Sequence, residues 1–336
     1  MATPQTATIA VIGAGSWGTG LSVLFAGNGH FVRLWGHVPA HVATLKKDRE
    51  NRRHLPGVSF PPRLHPEPDL AAAVAAVAEV VVVVPSHAFR AIITALATTV
   101  AGGSPLSLPT HRFHPEARGL LTEAAAELLP EHDLAVISGP SFAREVARGL
   151  PTAVTVAATS SAHAERVAAY LHNETFRAYT SADLIGVQVG GATKNVMAIA
   201  AGISDGLGFG ANARAALITR GLAEITRLGV ALGGQGETFV GLAGLGDLAL
   251  TCTDDQSRNR RMGLALARGL SVEAARKEIG QAVEGVKTTR EVYRLSRRLG
   301  VDMPITVQVY RVLYEGLAPH DAVHMLLHRP QREEAE

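Results

Sequence analysis

Residues 8–18 read TIAVIGAGSWG, from Thr8 to Gly18. Thr8–Ile12 is a short apolar run that ends at glycines. An alanine- and leucine-bearing stretch follows to Gly27. The pattern is strand, tight turn, helix. Gly13-Ala14-Gly15-Ser16-Trp17-Gly18 is a GxGxxG turn directly after a strand and opening a helix. Gly13 permits the tight turn, Gly15 a close approach of backbone to a pyrophosphate, and Gly18 close helix–strand packing. Alone the match is weak; at the first βα turn of an alternating chain it predicts nucleotide binding.

The alternation extends outward from this turn. Phe31–Trp35 reads as a second strand, His41–Glu50 as a helix, Leu55–Pro68 as a proline-rich loop and Asp69–Ala78 as a helix. Val80–Val84 is five valines in a row, ended by Pro85. Such a run suits a strand covered on both faces, and argues for a parallel sheet. Helices from Ala88, over Pro115–Leu129 and over Ala162–Leu171, with strands Leu134–Ile137 and Ala153–Ala157, continue the pattern. It predicts a Rossmann-type, doubly wound α/β domain over residues 1–185. From Gly186 the texture changes. Gly186–Gly202, Ala211–Leu228, Arg258–Gly269, Ser271–Ile279, Val286–Leu299 and Thr306–Glu315 read as helices, so residues 186–336 are expected to form an all-α domain.

The 336 residues suit two domains at about 150 residues each. Thirty-two basic and 30 acidic side chains give a net charge of +2 without a long basic run, which argues against bulk nucleic-acid binding. The single cysteine, Cys252, rules out an intrachain disulfide and fits a reducing, cytoplasmic setting. The apolar run Ala71–Pro85 is interrupted by Glu79 and falls short of the roughly 20 residues that span a bilayer, so no integral membrane segment is expected. Met1–Thr8 has no basic region ahead of an apolar one, unlike a secretory signal.

Four further stretches carry chemistry. Where an NAD-selective site places an acid near the end of the second strand, this chain has Trp35-Gly36-His37, with Arg33 upstream. No carboxylate is there to repel a 2′-phosphate, so NADP(H) should be accepted. Lys194 stands in the apolar stretch Ile185–Ile203. It either snorkels to water or lines a cleft, where desolvation would make it a usable acid/base. Ser138–Ala143 follows a strand at the sheet's ligand-binding end; it offers N–H and hydroxyl donors, or is a simple turn. Gly241–Gly263, GLAGLGDLALTCTDDQSRNRRMG, brings Asp247 on a glycine turn close to Ser257-Arg258-Asn259-Arg260-Arg261. Guanidinium forks match phosphate oxygens, and Ser257 stands where an N-cap would open a helix. A solvated arginine-rich helix start has the same composition.

Taken together the motifs closely resemble bacterial NAD(P)-dependent glycerol-3-phosphate dehydrogenases. The resemblance runs from about Thr8 to His328. It rests on GAGSWGT at 13–19, LWGH at 34–37, VVVPSH at 82–87, ISGPSFA at 137–143, the block 186–221 around GGATKN, AGLGDLALTCTDDQSRNRR at 243–261 and AVEG at 282–285. It implies NADPH- or NADH-dependent reduction of dihydroxyacetone phosphate to sn-glycerol 3-phosphate, a phospholipid precursor, by a cytoplasmic homodimer without a metal. Lys194 then matches the family's acid/base and Asp247 the carboxylate beside it. Ser257, Arg258 and Asn259 match glycerol-phosphate contacts, as do Gly139 and Ser141. Gly13, Gly15, Ser16, Trp17, Gly18, His37, Ala143, Ala282 and Glu284 match cofactor positions, and Arg258 lies near the cofactor as well. Ala282 replaces a valine.

One segment departs from the pattern. The family carries a threonine-lysine-glycine motif whose lysine touches substrate and cofactor. Here Leu108-Pro109-Thr110-His111-Arg112-Phe113-His114-Pro115-Glu116 puts His111 in the lysine's place and Arg112 in the glycine's. His111 is shorter and carries at most partial charge near neutral pH. Compensation by Arg112 or His114, an impaired enzyme and a local sequence error all accommodate the change. The alternative function is therefore an NADP-binding protein of the same fold with lost or weakened catalysis.

Overall fold

In the computed structural model, residues 6–100, 104–109 and 119–330 are described. The chain divides into two compact units, 1–188 and 189–336. In the first, eight strands form one sheet: Thr8–Ile12 (β1), Phe31–Trp35 (β2), Leu64–Glu67 (β3), Glu79–Val82 (β4), Leu106–Leu108 (β5), Leu134–Ser138 (β6), Thr152–Ala158 (β7) and Phe176–Ser181 (β8). Their spatial order is β8-β7-β6-β5-β4-β1-β2-β3. Read from the β3 edge it runs 3-2-1-4-5-6, the doubly wound dinucleotide-binding order. The order reverses between β1 and β4, and the GxGxxG turn leaves β1 at that point. Residues of β1 and β4 such as Ile9, Val11, Val80 and Val81 are fully buried, as strands covered on both faces require.

The sheet is not parallel throughout. β6 and β7 pair antiparallel, Ala135 opposite Ala158, because residues 139–151 form only a short return rather than a crossover. Two further departures from the sequence reading lie in the expected loop Leu55–Pro68. Leu64–Glu67 is the edge strand β3, and Leu55–Ser59 pairs with Glu50–Asn51. Pro66 hides β3 from a sequence reading, yet an edge strand tolerates proline because one side needs no ladder donor. The helix expected over Asp69–Ala78 is confined to Leu70–Val74, and Ala76 has a φ of 52°. The expected helix Pro115–Leu129 is described from Leu121 to Leu128.

The second unit is helical among the described residues. Its central helix, Leu184–Gly206, starts in the last residues of the first unit. By length and composition it could cross a membrane. However, 78% of its most apolar window is buried, as in the core helix of a globular unit. Around it lie helices Gly210–Ala231, Asp247–Thr253, Arg258–Ala267, Val272–Ile279, Glu284–Leu299, Pro304–Tyr314 and Pro319–Leu327.

Candidate active site

The nucleotide turn is built by β1 and the helix Ser16–Gly27. Gly13 adopts φ +127°, and a Cβ there would collide with the Val83 carbonyl, so only glycine fits between β1 and the strand beside it. Its N–H donates to the Trp35 carbonyl at 2.9 Å, tying the turn to β2. Gly15 faces open space at the helix N-terminus: a Cβ there meets nothing within 4 Å. A bare, open helix N-terminus fits a pyrophosphate. The Ser16 hydroxyl donates to the His54 carbonyl at 2.7 Å. The Trp17 indole donates to the Pro109 carbonyl at 3.0 Å, at the edge of the segment that carries His111. His111 and Arg112 lie outside the described residues.

At the end of β2, His37 is exposed. Arg33 is already engaged, donating to the carbonyls of Ala72 and Ala75 at 2.8 and 2.7 Å. His41 and His54 meet edge to face with centroids 5.6 Å apart. Burial first, then the charges of Arg53 and His37, push the His41 pKa down. His37, His41 and His54 thus gather beyond the end of β2, while Glu67 lies opposite Trp35 on the adjoining edge strand. After β6, Gly139 is buried and the Ser141 hydroxyl donates to its carbonyl at 2.9 Å. Ala143 opens the short helix Ala143–Ala147, which packs on Gly20 of the first helix. Within the first unit, therefore, Ala143 is brought to the helix that carries Ser16 and Trp17.

In the second unit, the central helix meets the turn Leu242–Gly246. That turn is one wide π-type turn, the Gly246 N–H donating to the Gly241 carbonyl at 3.1 Å. Such turns recur at functional sites. A Cβ at Gly190 would stand 2.5 Å from the Ala243 carbonyl oxygen, so glycine there permits the contact. Lys194 is one helical turn beyond Gly190, and Asp247 four residues beyond Ala243. The close approach delivers them to each other: the Lys194 ammonium donates to an Asp247 carboxylate oxygen. Asp247 is 2% exposed and the Lys194 side chain 14%, so this pair is largely withdrawn from water. The Thr251 hydroxyl, one turn after Asp247, donates to the Asp247 carbonyl at 2.6 Å.

Ser257 caps the helix Arg258–Ala267, its hydroxyl accepting the Arg260 N–H at 3.2 Å. Asn259 has a structural task beside any ligand contact. Its amide donates to Asn195 Oδ1 at 2.7 Å and accepts the Gly285 N–H at 2.9 Å, linking three helices. Asn195 follows Lys194 directly, so this bridge also couples the arginine-bearing helix to the lysine. Arg258 is half-buried; burial first, then Arg261, depress its pKa. Glu284 opens the helix Glu284–Leu299 and Ala282 is exposed ahead of it. Sequence reasoning read Gly190 as permitting close packing but not its partner, the Leu242–Gly246 turn, and missed the supporting roles of Asn195 and Thr251. The spacing Gly190–Lys194 and Asp247–Thr251, one helical turn in each case, is the signal that could have found the roles of Gly190 and Thr251. No group of three metal-ligating side chains occurs among the described residues.

Two family models, the N- and C-terminal halves of NAD-dependent glycerol-3-phosphate dehydrogenase, match residues 8–164 and 183–324. The chain belongs to that family. A glycerol-3-phosphate dehydrogenase [NAD(P)+] of Shewanella sediminis is 55% identical over 332 residues, covering 98% of each chain. An Escherichia coli enzyme of the same name is 52% identical over the same length and shares. The crystal structure of glycerol-3-phosphate dehydrogenase from Coxiella burnetii superposes with a TM-score of 0.94 at 46% identity, covering 96% of this chain and 99% of that one. Membership makes this chain an NAD(P)-dependent oxidoreductase. The open Gly15 turn of the first unit and the lysine–carboxylate pair of the second fit a glycerol-3-phosphate dehydrogenase.

Proposed function

We propose that the chain catalyses reversible reduction of dihydroxyacetone phosphate to sn-glycerol 3-phosphate, and that the Lys194–Asp247 pair performs its proton transfer. The observation that carries this reading is that pair: an ammonium and a carboxylate withdrawn together from water, in a chain that otherwise keeps Lys194 among apolar residues. The Gly13–Gly18 turn would hold NAD(P)H, which would supply the hydride. Lys194 donates a proton to the oxygen at C2 as negative charge develops there, and recovers it in the reverse direction. Asp247 holds the ammonium in place. Arg258, the Asn259 segment and the capped helix N-terminus hold the phosphate, with Gly139 and Ser141 as further substrate contacts. Phosphate binding remote from C2 converts affinity into orientation of the carbonyl. Ser16, Trp17, His37, Ala143, Ala282 and Glu284 serve the cofactor, and His111 stands in for the family lysine.

In this reading residues 1–185 serve the dinucleotide and 186–336 the substrate and dimerisation. The protein works in the cytoplasm as a homodimer and supplies glycerol phosphate for phospholipid synthesis. The test is oxidation of NADPH or NADH followed spectrophotometrically with dihydroxyacetone phosphate, on wild type and H111K. Turnover by wild type supports the proposal. Tight NADPH binding without turnover, restored in H111K, would instead assign the natural chain the role of a nucleotide-binding protein weakened at His111.

A further inference from the structure

Three arginines leave the first turns of the helix Arg258–Ala267, and they are treated unequally. Arg260 is saturated by the protein. Its Nε donates to the Cys252 carbonyl at 3.1 Å, one terminal nitrogen to Asp205 at 2.6 Å, and the other pairs with Asp255. Arg258 and Arg261 are three residues apart and so share one face of the helix. Neither forms an ion pair with a carboxylate among the described residues. The Arg261 Nε is buried without a hydrogen-bond partner among the described residues. Both side chains are half-buried, and their charges repel each other.

Two neighbouring cations partly withdrawn from water, with no counter-charge, are costly to the protein unless an anion joins them. A phosphate between two guanidinium groups meets that need, since each fork presents parallel N–H groups to its oxygens. The helix N-terminus adds its partial positive charge. Asn259, between the two arginines in sequence, is hydrogen-bonded to Asn195, the neighbour of Lys194. The free arginine face is therefore tied to the proton-transfer pair. We propose that Arg261 is a second phosphate-binding arginine of the substrate site, holding the phosphate of dihydroxyacetone phosphate jointly with Arg258. This rests on the dehydrogenase reading above and adds a residue that the resemblance did not supply.

The test compares wild type with R261M and R261K. R261M keeps an apolar stem and removes the charge; R261K keeps the charge and loses the fork. Removing one charge-assisted contact should raise KM for dihydroxyacetone phosphate about 10- to 100-fold, with a smaller fall in kcat. The inhibition constant of inorganic phosphate should rise by a similar factor. R261K should recover part of both losses, and the NADPH dissociation constant should stay within about twofold of wild type. Unchanged KM and unchanged phosphate inhibition overturn the proposal. So does a loss confined to NADPH affinity, which would assign Arg261 to the cofactor's phosphates. If wild type itself fails to turn over dihydroxyacetone phosphate, the functional reading fails. Calorimetric titration of inorganic phosphate into wild type and R261K then decides Arg261 separately: equal affinities overturn its role. Loss of phosphate-dependent thermal stabilisation in R261K, with the unliganded Tm retained, distinguishes a binding role from a folding one.

Discussion

A single lysine carries the proposed chemistry, and its surroundings explain how. The Lys194 side chain on the central helix is 14% exposed, and its ammonium is paired with Asp247, itself 2% exposed. The carboxylate accepts from the ammonium and fixes its direction. In the Lys194→Ala variant, kcat should fall at least about 100-fold, the scale of general acid–base catalysis, with NADPH binding retained. Turnover near wild type would remove Lys194 from the mechanism. Cys252, in the same helix as Asp247, is a contrasting residue. Burial, offset in part by Arg260, pushes its thiol up to about 12. It is a packing residue, and nothing in the proposed reaction uses it.

Elements position these residues through contacts that only small side chains allow. Gly190 lets the central helix touch the Leu242–Gly246 turn, and the pair Lys194–Asp247 forms one turn further along each segment. The Gly190→Ala variant must move one segment off the other. Overpacking of this kind costs about 1–3 kcal/mol, so Tm should fall. Because the shift lies directly under the ion pair, kcat should fall about tenfold or more, as misplacement of catalytic groups does. A variant with lowered Tm but wild-type kcat would show that the packing does not set the pair. The elements themselves were readable to different degrees. β1 and the valine strand stand out because nearly all of their residues are apolar and buried on both faces, and β2 because only Arg33 interrupts its apolar run. Strands β3 and β8 lie at the two sheet edges. Their sequences, Leu64–Glu67 and Phe176–Ser181, mix apolar, polar and proline residues as a half-exposed edge permits. The Asp247–Thr253 helix follows a glycine-rich turn that masks its start.

At the scale of the whole molecule, one buried carboxyl links stability to pH. Glu224, on the helix Gly210–Ala231, is 1% exposed and accepts the Ile305 N–H at 2.5 Å and the Thr306 N–H and hydroxyl at 3.2 Å, capping the helix Pro304–Tyr314. Burial raises its pKa from 4.5 to about 7, against the opposing pull of those hydrogen bonds. A carboxyl with a raised folded-state pKa binds its proton more tightly in the folded state than in the unfolded one. Its contribution is most favourable below pH 4.5 and is lost as pH rises through about 7. The loss is about 3 kcal/mol over the full window. Relative to E224Q, wild type should therefore lose stability between pH 5 and pH 8, measured as Tm or denaturant midpoint. A pH-independent difference between the two proteins would contradict the assignment. In the first unit a buried ionisable pair, Glu79 with His163 at 3.1 Å, joins β4 to the helix Ser161–Leu171. Burial raises the Glu79 pKa first, with His163 and Ser107 opposing.

The residues of this chain determined the fold class without help from coordinates. The strand–GxGxxG–helix start, the valine run and the helical texture after Gly186 are local patterns, each dictated by the period of its own backbone. The types of the reacting groups were equally local: a lysine among apolar residues, a carboxylate on a glycine turn, an arginine cluster behind an N-cap. Tertiary structure alone decided which of them meet. Lys194 and Asp247 are 53 positions apart, and their contact depends on Gly190 and Ala243 touching first. The same holds for the arginines. Arg258, Arg260 and Arg261 are indistinguishable as letters, and only packing neutralises the middle one against Asp205 and Asp255, while neither neighbour forms an ion pair among the described residues. Hydrophobic periodicity selects the faces that are buried; the pairing of charges depends on which backbones can approach, and that is a property of the folded chain.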